Sequence, residues 1–208
     1  MVQSLDRLKE SPSQTAGPYV HIGCTPNWVG ITGVWDEDLG SVLVTPETKG
    51  ERIVVTGRVI DGSGNPLKDA LLEIWQADAA GFHNSPAERR GKADPAFKGW
   101  GRQPTDGTTG VYRFETIKPG PVPFPDGRPM APHITFWIVA RGINVGLHTR
   151  LYFGDEEAAN AADPLLARIE NRARVATLIA PRTLVEGVPT YTFDIHLQGD
   201  RETVFLDI

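Results

Sequence analysis

The sequence predicts a mainly β chain: a two-sheet β-sandwich preceded by an irregular N-terminal arm, with one or two short helices near 155–179. Three observations predict it. From Glu51 onward, short β-rich runs alternate with turn signals. Turn formers are dense throughout, with 22 Gly and 17 Pro in 208 residues. One segment, 163–179, spaces its apolar residues as a helix does.

Residues 1–50 form the arm, rich in Gly, Pro, Ser and Thr, with single aromatics at Tyr19, Trp28 and Trp35 and no sustained period. It is too apolar for a solvated tail, so its aromatic side chains are expected to pack against the domain or another chain. Residues 51–208 form the sandwich. Its first run, RIVVTGRVI (52–60), enters the turn DGSGNP (61–66), and DALLEIWQA (69–77) leaves it; the pair reads as two neighbouring strands. Runs at 110–116, 133–140, 148–153, 191–198 and 202–206 bring the total to seven, enough for two sheets. Asp163 as a cap and Pro164 at the first helical position open a predicted helix running to Ile179, with a shorter one ahead of it in 155–161.

Composition excludes several classes of function. The net charge is −5 with no block of like charge, which argues against a nucleic-acid partner. No apolar run is long enough to span a membrane, and the first residues lack a signal-peptide core, so a soluble, cytoplasmic protein is expected. The single Cys24 cannot form an internal disulfide, and no Cys/His cluster has zinc-site spacing. No nucleophile elbow, phosphate loop or zincin helix appears, which leaves hydrolase and nucleotide chemistry without support.

The remaining chemistry rests on five histidines, His21, His83, His133, His148 and His196. Residues two apart on a strand share a face, so His133 and Thr135 point together; a neutral threonine hydroxyl is a poor ferric ligand, and a metal there would have to recruit distant residues. His148 and His196 lie inside predicted strands and read as hydrogen-bonded structural residues. Arg141 directly follows the run HITFWIVA. On position alone it reads either as a solvated strand-end cation or as a guanidinium aimed into a cleft to take a carboxylate.

LLEIWQADAAG (71–81), GVYRFETIKPGPVPFPDG (110–127) and MAPHITFWIVARG (130–142) resemble the intradiol ring-cleavage dioxygenases. PSQTAGPYVHIG (12–23) and HTRLYFGDE (148–156) narrow the resemblance to the α chain of the family's two-chain members. What the resemblance implies is a sandwich of the intradiol dioxygenase type. In that family a mononuclear non-haem Fe(III), held by two tyrosines and two histidines, opens an ortho-dihydroxybenzoate ring with O2. In the two-chain members protocatechuate becomes 3-carboxy-cis,cis-muconate, the iron belongs to a homologous β chain, and α-β units build a higher hetero-oligomer. The resemblance places His83 and Val122 where iron-binding chains have tyrosines, keeps His133, and puts Thr135 at the second histidine. It therefore implies a vestigial metal site here, with no metal and no catalytic residue in this chain alone. It also implies that Thr15, Pro18, Tyr19 and Arg141 line the partner's substrate pocket. A non-catalytic binding or structural module is the alternative, since VTGRVIDGSGNPLKDALLEIW (55–75) by itself resembles transthyretin-like sandwiches.

Overall fold

A computed structural model describes residues 14–207. Two five-stranded sheets pack face to face, as expected for a sandwich. The first is built around β1 (Arg52–Ile60), which pairs antiparallel with β4 (Val111–Ile117) along one edge. Its other edge pairs parallel with β9 (Val188–Thr192) and β10 (Ile195–His196), and β8 (Arg182–Val185) joins β9. The second sheet runs β3 (Trp100–Pro104), β2 (Leu71–Trp75), β5 (His133–Val139), β6 (Leu147–Phe153) and β7 (Ile179–Ala180). The core lies between them. Ile53, Val55 and Val59 of β1 and Tyr112 and Phe114 of β4 meet Leu72 and Ile74 of β2 and Ile134, Phe136 and Ile138 of β5. Every second residue of these strands is buried, the period-2 signature of a sheet with one covered face.

Several expectations are corrected. β1 and β2 are not neighbours but lie in opposite sheets. The turn at 61–66 closes on itself through the Ile60–Pro66 bridge and the Asp61 carboxylate, which accepts from Ser63 and Asn65 N–H. Both edges of β1 are then taken by strands that come later, so the chain after Leu67 crosses to the other sheet. The helix expected over 163–179 is two short 3-10 turns, Leu166–Arg168 and Arg172–Leu178. Asp163 does cap the first, accepting from Leu165 and Leu166 N–H, but Ile169 and Asn171 are extended and Asn171 caps a new start. A separate helix occupies Glu157–Ala162. The run 191–198 breaks into β9 and β10, and 202–206 forms no strand because its backbone bonds go to scattered partners: His196, the Thr177 hydroxyl and His148. β3, β7 and β8 were not legible as strands. WGRQP carries too little apolar character, and the other two are a dipeptide and a fully exposed edge.

The arm divides in two. Leu43 belongs to the sandwich core and lies over Gly101 of β3, where an added Cβ would come within 2.5 Å of it. Further upstream, around the short helix Val20–Cys24, Tyr19, Trp28, Ile31, Val34 and Trp35 are exposed.

Candidate functional site

His83, Val122, His133 and Thr135, far apart in sequence, line one cavity of about 440 Å³ on the outer face of the second sheet. The floor is strand. His133 and Thr135 project from β5, Trp75 from β2 and Arg150 from β6, with Thr135 and Arg150 directly opposite in register. The walls are two loops. The first carries His83, Glu88 and Arg90 and is shaped by buried Asp78, whose carboxylate accepts from the N–H groups of Ala80, Phe82 and Asp94. The second carries Val122, Pro123 and Met130, and it approaches the first closely. A Cβ on Gly81 would lie 2.2 Å from the Pro121 carbonyl, and Gly81 has φ of +85°.

Both cavity histidines are held neutral. The His133 Nδ1 lies 2.8 Å from the Ala131 carbonyl, so it carries the proton and leaves Nε2 as the open acceptor. Burial, reinforced by the charge of Arg150, pushes the His133 pKa down to about 3. His83 stacks parallel on Trp75, with centroids 5.7 Å apart and planes at 8°, and is lowered by burial and then by Arg90. Glu88 is bound by Arg90, whose hydrogen bonds hold its pKa down to about 2. Two neutral imidazoles, a valine side chain and a threonine hydroxyl, with a guanidinium in the same wall, do not fit a ferric ion. Among the described residues, no group of three His, Cys, Asp or Glu is placed to hold a metal. His148 lines a neighbouring groove and His196 another, so neither reaches His83 and His133. Arg150, Arg90, Glu88 and Trp75 were missed in the sequence. The outward face of the HTR run offered the sole signal for Arg150, and cross-strand partners are set by register.

The residues expected to serve a partner lie elsewhere. The Thr15 hydroxyl donates to the Ala140 carbonyl at 3.2 Å and accepts from Gly142 N–H at 3.1 Å, fastening the arm on both sides of Arg141. Arg141 is exposed, with its Nε 2.6 Å from Asp69 Oδ2. Pro18 and Tyr19 follow in the exposed turn before the Val20–Cys24 helix, and among the described residues no hydrogen bond joins either to Arg141. No helix among the described residues is long and apolar enough to cross a membrane.

The family described as Dioxygenase matches residues 25–199. The protocatechuate 3,4-dioxygenase alpha chain of Pseudomonas putida is 46% identical over 203 residues, covering 98% of both chains. The beta chain of that enzyme from Burkholderia cepacia is 39% identical, covering 80% of this chain and 73% of its own. The dioxygenase domain of a carbohydrate-binding fusion from Streptomyces sp. SirexAA-E superposes with a TM-score of 0.53 at 27% identity, over 79% of this chain and 88% of that one. From its sandwich, its histidine cavity and this end-to-end similarity, the chain belongs to the intradiol ring-cleavage dioxygenase family.

Proposed function

We propose that this chain is the non-iron α subunit of a cytoplasmic protocatechuate 3,4-dioxygenase. Its homologous β chain holds the non-haem Fe(III), and the pair opens protocatechuate with O2 between the two hydroxyls to give 3-carboxy-cis,cis-muconate. The observation that carries this reading is the likeness to alpha chains along the whole length, joined to a cavity whose donors suit no ferric ion. The exposed arm aromatics supply apolar area for a permanent contact with the β chain, in a higher hetero-oligomer of α-β units. Thr15 fixes the arm beside Arg141, so Pro18, Tyr19 and Arg141 can be presented together to the partner's pocket. Asp69 holds one side of the Arg141 guanidinium and leaves its remaining N–H groups to orient a substrate carboxylate.

Co-expression with the β chain tests this. The complex is expected to contain iron and to consume O2 with protocatechuate, whereas the chain alone does neither. In the complex, Arg141→Ala should raise KM for protocatechuate about 10- to 100-fold, the worth of one charge-assisted hydrogen bond or pair. It should leave turnover of catechol, which lacks the carboxylate, nearly unchanged. A stable partnerless monomer with no ring cleavage in any combination would overturn the reading and favour a transthyretin-like module.

A further inference from the structure

The cavity that holds His83 and His133 also holds a guanidinium that no carboxylate among the described residues contacts directly. The Arg150 Nε is buried without a hydrogen-bond partner, and its Nη1 lies 3.4 Å from the Met130 thioether. Among the described residues Arg150 forms no ion pair, whereas the cavity's other guanidinium, Arg90, is taken by Glu88. Around it stand Thr135 across the strand pair, the Met130 sulfur and the Tyr152 phenol, which hydrogen-bonds Arg150 and lies 3.5 Å from the buried Asp163 carboxylate behind it. The buried Nε lacks an acceptor, and an anion that enters the cavity supplies one together with a direct counter-charge.

The rest of the cavity defines the anion. Its volume of about 440 Å³ admits a single substituted ring and is small for a nucleotide or peptide. Trp75 and His83, stacked in parallel, offer a flat aromatic surface, and Val122, Pro123 and Met130 add an apolar side to a lining that is otherwise polar. We propose that this cavity is a binding site for a small aromatic carboxylate, which sets its carboxylate on the Arg150 guanidinium and its ring between these walls. A ring hydroxyl would find the open Nε2 of His133 as its acceptor. The site needs neither iron nor ring cleavage, so the proposal goes beyond the function given above and does not depend on it.

The probe is 4-fluorobenzoate, followed by 19F NMR on the full chain together with the β chain. Saturable binding is expected, and Arg150→Gln should weaken this site at least tenfold, so that one fewer probe is bound per α-β pair. Arg150→Lys, which keeps the charge but loses the planar fork, should weaken it less. Ala87 lines the same cavity and is exposed, so Ala87→Trp should close the site without disturbing the buried strands. Equal probe stoichiometry and affinity in Arg150→Gln and Ala87→Trp, or no saturable binding beyond the β chain's own, would overturn the proposal. Ring cleavage of protocatechuate is measured on the same samples. Loss of the site with unchanged turnover supports the proposal, and Arg150-dependent binding in a complex without ring cleavage supports it while defeating the function proposed above.

Discussion

The Asp78 carboxylate, buried at the foot of the His83 loop, accepts three backbone N–H bonds from residues spread between 80 and 94. Its removal leaves those donors to find water in a closed loop. Asp78→Ala is expected to cost about 3 kcal/mol in denaturant unfolding, and Asp78→Asn, which keeps one acceptor, clearly less. Tyr112 poses a similar case inside the core. Its ring is fully buried between Phe114 and Phe136, and its hydroxyl donates to the Phe193 carbonyl. Tyr112→Phe should destabilise by about 1–3 kcal/mol, because that carbonyl is left without its donor. In the sequence both residues are ordinary members of a loop and a strand. Polarity can be read there, but the partner that satisfies it cannot.

At the scale of elements, the break between β9 and β10 shows how one residue type shapes a strand pair. Phe193 N–H donates to the Thr56 carbonyl at 2.8 Å, and the Asp194 side chain accepts from Arg58 N–H at 2.9 Å, taking the place of a backbone carbonyl. The bulge presses on Gly57, where an added Cβ would lie 2.0 Å from the Phe193 carbonyl oxygen. Gly57→Ala must push β9–β10 away from β1 and should cost at least about 2 kcal/mol, read as a lowered melting temperature. The sequence shows a continuous alternating run over 191–198, with no mark of the bulge beyond Asp194 itself. The 3-10 turns at 166–178 have the same origin. Apolar spacing predicted a helix, but local capping by Asn171 and a bond from the Arg172 side chain to the Leu166 carbonyl compete with the helical backbone pattern.

Across the whole molecule, buried histidines make stability depend on pH. In the unfolded chain His133 takes up a proton near its ordinary value of 6.5, and in the fold only near 3. Between those values the unfolded state binds the extra proton, so stability falls as the pH drops. The slope from this residue is at most about 1.4 kcal/mol per pH unit. His83 and His196, lowered chiefly by burial, act in the same direction. Melting temperature should therefore decline from about pH 6.5 downward, and His133→Gln should flatten that decline.

The sequence by itself determined the β-sandwich class, the boundaries of β1, β5 and β6 to within a residue or so, and the family. It did so because strand periodicity and turn chemistry are local, and because motifs such as APHITF keep their residues adjacent. It also named the four cavity positions His83, Val122, His133 and Thr135 through the resemblance. Tertiary structure alone decided that β1 and β2 face each other across the core, that Thr15 meets the chain around Arg141, and that the Arg150 Nε is left without an acceptor among the described residues in the cavity that holds His133. Each of these depends on register and packing between segments distant in the chain, where the free energy of a contact is set by what arrives from elsewhere and not by the residue's own neighbours.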